Sequence, residues 1–213
     1  MESIADIRTD YKLKTLSEAD VAADAIAQFT AWWNEAVASQ IEEVNAMTLA
    51  TASKDAVPDA RIVLLKGYDE NGFVFFTNYQ SAKGQQIAEN AQACLVFFWK
   101  ELERQVKIKG SIEKVSAADS DAYFHSRPLE SRIGAWSSPQ SQVISSRDVI
   151  VDNVNHNTTR FNDQPVPRPA HWGGYVVKPQ SIEFWQGRPS RLHDRIRYSL
   201  QADSSWLIER LAP

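Results

Sequence analysis

Ser181-Ile182-Glu183-Phe184-Trp185-Gln186-Gly187-Arg188-Pro189-Ser190-Arg191-Leu192-His193-Asp194-Arg195 is the stretch around which the chain is organised. Its opening residues alternate polar and apolar side chains and close on aromatics, the period-two pattern of a strand. A Gly-x-Pro turn follows, and three cations then fall close together: Arg191, His193 and Arg195. In extended chain, positions two apart share a face, so the spacing predicts all three pointing into one cleft. Two fixed positive charges flanking an imidazole suit an anionic substrate and a proton or hydride step. A solvated, Arg-rich edge strand fits the same spacing, so the rest of the chain has to decide.

With 213 residues the chain is long enough to bury a substantial core. Its 43% hydrophobic and 23% charged residues are ordinary for globular proteins, and a net charge of −4 gives no sign of nucleic-acid binding. The single cysteine, Cys94, sits in an apolar run and reads as a small buried hydrophobe in a reducing compartment. The opening MESIADIRTD has neither a basic nor an apolar signal region, and no apolar run approaches the ~20 residues of a membrane span. The expected setting is the cytoplasm, with no membrane partner.

Residues 1–16 are polar and read as an N-terminal arm, mobile on its own. Asp20 to Ser39 carries Ile26, Phe29, Trp32, Trp33 and Val37 at helical spacing, which predicts an amphipathic helix with its aromatics in the core. From Asn45 the period becomes two. Strands are expected at Ala46–Ala52, Ala60–Tyr68 and Phe73–Asn78, with Asp69-Glu70-Asn71-Gly72 as a hairpin turn. Ser81 opens a short helix to Asn90, and two further strands are expected near 92–99 and 104–115. Five strands with tight links predict an antiparallel sheet curled into a barrel, mainly β with helices, the α+β class. Helices are expected at Ala117–Ser126 and Ser145–Asn155, a surface loop over Asn155–Pro169, and strands at Gly173–Val177, Ser181–Gln186, Ile196–Gln201 and Trp206–Leu211. The helices interrupt a single sheet, so residues 17–213 read as one domain.

The four histidines lie far apart without a companion at ligand spacing, so no metal site is expected. No dinucleotide fingerprint or Walker loop is present. What remains is a set of cations at strand ends and helix starts. Arg61 and Lys66 bracket a strand and point to opposite faces, and Ser81-Ala82-Lys83 opens a helix where backbone N–H groups favour phosphate. Tyr123 and Arg127 lie four residues apart at a helix end. Each alone also fits a surface residue or a helix-end charge. Together they point to phosphorylated small molecules, and no redox group is identified from the residues themselves.

Several ordered motifs are similar to those of one family. These are Arg61-Ile62-Val63-Leu64-Leu65-Lys66, Phe75-Phe76-Thr77-Asn78, Leu102-Glu103-Arg104-Gln105-Val106, Tyr123-Phe124-His125-Ser126-Arg127-Pro128, Ile133-Gly134-Ala135-Trp136, Ile182 to Gly187, Arg191 to Arg195, and Arg210-Leu211-Ala212-Pro213. From about Ile4 to Pro213 the chain resembles the pyridoxamine 5′-phosphate oxidase family. The resemblance implies a split β-barrel homodimer that binds FMN in clefts between subunits. It also implies oxidation of pyridoxamine 5′-phosphate or pyridoxine 5′-phosphate by O2 to pyridoxal 5′-phosphate, with H2O2 released. By this resemblance FMN meets Arg61, Ile62, Val63, Leu64, Leu65, Lys66, Phe76, Thr77, Lys83, Gln105, Gln140, Ser141, Trp185 and Arg195. The substrate phosphate meets Lys66, Tyr123, Arg127 and Ser131, while Arg191 and His193 are the catalytic pair against the pyridine ring. The arm from Arg8 to Tyr11 is implied as a lid over the substrate. Two positions depart from the family pattern: Ala82 replaces a customary arginine before Lys83, and Glu43 replaces an aspartate. Two alternatives stand beside this reading, a related flavin oxidase acting on phenazine-type substrates and a non-catalytic flavin or pyridoxal phosphate binder.

Overall fold

The computed structural model describes residues 3–6, 10–162 and 164–213. Arg8 lies outside the described residues. Five α-helices are described: α1 (Ala25–Ala38), α2 (Ala82–Glu89), α3 (Ala117–Ser126), α4 (Leu129–Ser137) and α5 (Asp148–Arg160). Nine strands accompany them: β1 (Ala46–Ala52), β2 (Pro58–Leu64), β3 (Gly67–Asp69), β4 (Gly72–Asn78), β5 (Gln92–Trp99), β6 (Arg104–Lys114), β7 (Trp172–Gln186), β8 (Asp194–Leu200) and β9 (Trp206–Arg210). The strand order is β2-β1-β5-β6-β7-β4-β3, with β8 pairing both β7 and β9. This is the curled antiparallel half-barrel of an α+β fold.

The expected elements are largely present, and the differences have local causes. α1 begins at Ala25, later than the pattern predicts, because Asp24 adopts an extended conformation and accepts from the N–H groups of Ile26 and Ala27 at 2.9 and 2.8 Å. Val37, read as part of the apolar face, is exposed. The single strand expected over Ala60–Tyr68 is two, since β2 pairs with β1 and β3 with β4. α4 was not anticipated. α5 runs on to Arg160, into the region read as loop, because Val154 and Phe161 pack against the buried Phe124, Ile133, Val166 and Trp172. The two strands expected at Gly173–Val177 and Ser181–Gln186 are one strand. Its first part pairs with β4 and its last with β8, and Pro179 falls outside both ladders, where its missing N–H costs neither a bond.

The chain falls into two compact units, each assembled from discontinuous segments. The first comprises Met1–Leu49, Cys94–Gly110 and Pro179–Pro213. Its core sets Phe29 and Trp32 of α1 against Phe97 at 5.5 Å and Phe184 at 5.2 Å. Buried Arg104 stacks on Trp32 at 4.2 Å and meets Glu35 at 3.0 Å and Gln186 at 2.9 Å, so its charge is paired inside the protein. The Tyr198 hydroxyl donates to the Ala22 carbonyl at 2.6 Å, and burial pushes its pKa up to about 12.

The second unit comprises Ala50–Ala93 and Ser111–Lys178. Here β4 runs into α2, whose Ser81 cap accepts from the Gly84 N–H at 3.3 Å. Lys83, in that first turn, is buried. Gly84 allows the turn to sit against the preceding chain: a Cβ there would collide with the Tyr79 carbonyl, which is backbone and cannot rotate away. Among the described residues no helix is long and apolar enough to cross a membrane. Gly84→Ala is expected to destabilise the protein by about 1–3 kcal/mol, even though alanine gains ~1 kcal/mol in helix propensity over glycine. Urea unfolding measures this, and an unchanged midpoint would show that α2 shifts to make room.

Candidate active site

A cleft of about 640 Å³ opens in the second unit. One wall is the exposed strand β2, which offers Ile62, Val63 and Leu64, followed by Lys66 beyond the strand's end. The backbone turns there because Leu65 packs inward, and the Lys66 N–H bonds to the Val74 carbonyl at 2.8 Å. The floor is aromatic. Phe76 of β4 stacks on Tyr123 of α3 at 4.0 Å and on Trp172 at the start of β7 at 5.5 Å.

Arg127 completes that stack. It ends α3 in an extended conformation, as a residue before proline must, and Pro128 then leads into α4. The guanidinium lies 4.6 Å from the Trp172 ring centre. Its Nη1 is buried without a hydrogen-bond partner among the described residues. Burial lowers the Arg127 pKa, although the group stays charged at any ordinary pH. Ser131, one turn into α4, also lines the cleft.

On the opposite side, Lys83 approaches the Gln140 side-chain oxygen at 3.5 Å, and the Thr77 hydroxyl approaches the same oxygen at 3.3 Å. Burial lowers the Lys83 pKa, and the nearby Arg61 charge lowers it further. Three cations, Lys66, Lys83 and Arg127, thus surround a partly apolar space. Arg61 does not line it. Its guanidinium bonds Thr51 Oγ1 at 2.6 Å, Asp59 at 2.5 Å and Gln86 at 3.1 Å. The Leu65 side chain, Ser141 and Ala82 are likewise absent from the lining, and Ala82 is exposed on the first turn of α2.

The first unit holds the remaining residues. The three cations expected on one strand face do not share a strand. Ser190 and Arg191 both take positive φ, 57° and 63°, in a tight turn, and only Arg195 lies in β8. Two consecutive left-handed non-glycine residues store strain of about 1–3 kcal/mol each. Arg195 pairs with buried Glu183 at 2.8 Å and donates to the Ala212 carbonyl at 2.7 Å, while Lys107 holds the other Glu183 oxygen at 2.5 Å. Burial acts to raise the Glu183 pKa, but the bonds from Arg195 and Lys107 outweigh it and leave the carboxyl below its usual range. Gln105 lies half-buried in β6.

His193 packs on Trp185 at 4.6 Å, and Tyr11 closes the cluster at 5.7 Å from Trp185 and 5.9 Å from His193. The Arg188 N–H donates to His193 Nδ1 at 3.1 Å. A backbone N–H only donates, so Nδ1 carries the lone pair and the neutral ring bears its proton on Nε2. Burial lowers the His193 pKa and the Arg191 charge adds to this, both favouring the neutral ring. Tyr11 rests against Gly187, where a Cβ would come within 2.7 Å of its ring. Trp172 was missed as a site residue by sequence reasoning. Its place at the start of the strand holding Gly173 and Gly174 was the available signal.

Comparison with known proteins gives one answer along nearly the whole chain. Residues 33–160 match the family described as pyridoxamine 5′-phosphate oxidase, and residues 172–213 match the one described as the pyridoxine 5′-phosphate oxidase C-terminal dimerisation region. A Trichormus variabilis protein named pyridoxine/pyridoxamine 5′-phosphate oxidase is 56% identical over 99% of each chain. One of the same name from Burkholderia lata is 58% identical over 100% of both. The solved structure of PhzG from Burkholderia lata, in complex with tetrahydrophenazine-1-carboxylic acid, superposes with a TM-score of 0.87 at 25% identity, covering 94% of this chain and 99% of that one. An FMN-binding protein from Nostoc punctiforme, described as related to pyridoxamine 5′-phosphate oxidase, shares the fold with a TM-score of 0.71 at 16% identity, over 91% of this chain and 100% of that one. The chain belongs to the pyridoxamine 5′-phosphate oxidase family.

Proposed function

We propose that the protein is an FMN-dependent oxidase that converts pyridoxine 5′-phosphate or pyridoxamine 5′-phosphate to pyridoxal 5′-phosphate, consuming O2 and releasing H2O2. The observation that carries this reading is Arg127, whose Nη1 is buried without a partner among the described residues, in a cleft that also holds Lys66 and Tyr123. A desolvated guanidinium nitrogen without an acceptor is costly, and a phosphate ester would supply the missing acceptor. The substrate phosphate is assigned to Lys66, Tyr123, Arg127 and Ser131. FMN is assigned to the β2 wall, Phe76, Thr77, Lys83 and Gln140, with Arg61, Gln105, Ser141, Trp185 and Arg195 as further contacts. The cleft fits such a group in size, within the ~300–1,000 Å³ usual for cofactor and ligand pockets, and in its cationic and aromatic lining.

Bound FMN would supply the acceptor for a hydride from the substrate C4′ carbon and the route by which the two electrons reach O2. The residues of this chain bind and orient. Phosphate contacts far from the reacting carbon hold the substrate by remote binding energy. Arg191 and His193 are assigned to the pyridine, His193 through its Nε2–H as a donor to a polar ring substituent. For the alcohol substrate, loss of hydride and a proton gives the aldehyde directly. For the amine it gives an imine, which water hydrolyses to the aldehyde and ammonia. We assign the working form to a homodimer, supported by the match of residues 172–213 to a dimerisation region and by exposed Leu200 and Leu207 on β8 and β9.

The likeness to PhzG favours one second reading, a phenazine-type substrate. Against it stands the contrast within Burkholderia lata: 58% identity to the protein named for the vitamin B6 phosphates and 25% to PhzG. The two readings separate on one experiment. Anaerobic pyridoxine phosphate is expected to bleach the yellow flavoprotein, and air to restore the colour with release of peroxide. Colour that persists with this substrate would sink the proposal.

Arg127→Ala is expected to raise KM for pyridoxine phosphate roughly ten- to a hundredfold, corresponding to loss of a contact worth ~1.5–3 kcal/mol, with a smaller effect on kcat. An unchanged KM would remove Arg127 from the phosphate site. The pH dependence follows from His193. Protonation puts a hydrogen on Nδ1, against the Arg188 N–H, so activity is retained while the ring is neutral and lost as pH falls through its folded pKa. Because that pKa is lowered, the acid limb of kcat/KM is expected below the ordinary imidazole range. His193→Asn, which keeps an acceptor for the Arg188 N–H, should flatten the limb. A limb that persists there belongs to another group.

A further inference from the structure

We propose that Arg210, acting with Asp194 and Glu18, is a positioning clamp that sets Tyr11 over Trp185 and His193. The inference rests on the proposed assignment of Tyr11 and His193 to the substrate, and it adds residues that contact neither substrate nor flavin in that reading. All of them lie within the first unit.

The arm from Asp10 to Glu18 has no helix or strand to hold it. Side chains hold it instead. The Leu16 N–H donates to Asp194 Oδ2 at 3.1 Å, and the Leu16 carbonyl accepts from Arg210 Nη2 at 3.0 Å. Both backbone groups of one buried residue are therefore taken, as a strand partner would take them. The clamp is itself closed. Arg210 Nη1 reaches Asp194 Oδ1 at 2.8 Å, and its Nε and Nη2 form a fork on the two Glu18 oxygens at 2.9 and 2.8 Å. A planar fork onto a carboxylate fixes direction as well as distance, which a lysine would not do. The hydrogen bond from Arg210 holds the Glu18 carboxyl down at about 2, so the pair stays charged through the working pH range.

The arm has a second tie nearer Tyr11, where the Leu13 N–H donates to Glu103 Oε2 at 3.0 Å. Asp194 immediately follows His193 and opens β8, pairing with Gln186 across the ladder. The residue that grips the arm thus adjoins in sequence the ring that Tyr11 covers. Fixing Leu16 against Asp194 sets where the chain re-emerges five residues earlier, at Tyr11 on the Cβ-free face of Gly187. Without the clamp Tyr11 must be ordered anew at each binding event, and that cost falls on substrate affinity.

The experiment compares Arg210→Met with wild type in two ways. Trypsin cleavage after Lys12 and Lys14 reports arm docking in the enzyme without substrate, and cleavage there is expected to accelerate several-fold while cleavage elsewhere keeps its rate. KM for pyridoxine phosphate is expected to rise roughly tenfold, the scale of a charge-assisted contact, with kcat changed less than about twofold. Combined with Tyr11→Ala, Arg210→Met should add nothing further to KM, because the clamp acts only through that ring. Should Arg210→Met fold poorly, Glu18→Gln on the exposed side of the clamp is expected to shift cleavage and KM in the same direction by less. Unchanged cleavage at Lys12 and Lys14 in the folded variants, or KM effects that add to those of Tyr11→Ala, would overturn the proposal. If wild type fails to oxidise pyridoxine phosphate, the functional reading falls, while the cleavage comparison still decides the clamp.

Discussion

β7 is the element on which the rest depends. It is a single strand from Trp172 to Gln186 that pairs with β4 over its first residues and with β8 over its last. Its N-terminal residue, Trp172, stacks with Phe76 and carries the Arg127 guanidinium. Near its C-terminal end, Trp185 packs on His193 and Tyr11. Eleven of its fifteen residues are buried, so a charge among them needs a partner. Glu183 meets this condition by lying between Lys107 and Arg195. Removing either cation would leave a buried carboxylate partly uncompensated, a far larger disturbance than loss of a surface ion pair.

The cations divide into two kinds. Arg61, Arg104, Arg195 and Arg210 are held by carboxylates or carbonyls of the same unit. Arg127 lies against aromatic faces, and among the described residues one of its buried nitrogens has no acceptor. Charge counting does not distinguish these kinds, since the chain as a whole is mildly acidic. Desolvation does: a cation kept in an apolar surround without a partner exerts its field on whatever anion enters.

Around His193 the constraint is backbone geometry. The turn from Arg188 to Leu192 contains two left-handed residues without glycine, and it aims the Arg188 N–H at the imidazole. Strain of this kind persists only where neighbouring contacts over-determine it. Here the neighbours are the β7–β8 ladder on one side and the aromatic packing of Trp185 and Tyr11 on the other. The protonation site of the ring is thereby decided by the main chain.

Local pattern alone determined most of the elements. Ala46–Ala52 was legible as a strand from its period of two, Ala117–Ser126 as a helix, and Ser81 as a helix cap, because each depends on residues within a few positions of one another. The motifs from Arg61 to Lys66 and from Tyr123 to Pro128 were visible as cationic segments, and their resemblance pointed to the family. The tertiary structure alone decided that Arg61 turns to Thr51 and Asp59 while Lys66 and Arg127 face the cleft. It alone placed Trp172 under Arg127, carried α5 past its polar residues, and folded Arg191 into a turn away from an extended face. The physical reason is range. Periodicity and capping are read within one turn or strand, whereas the environment of a charge is set by aromatic rings and carboxylates that the chain brings back from distant positions, and only the folded packing brings them together.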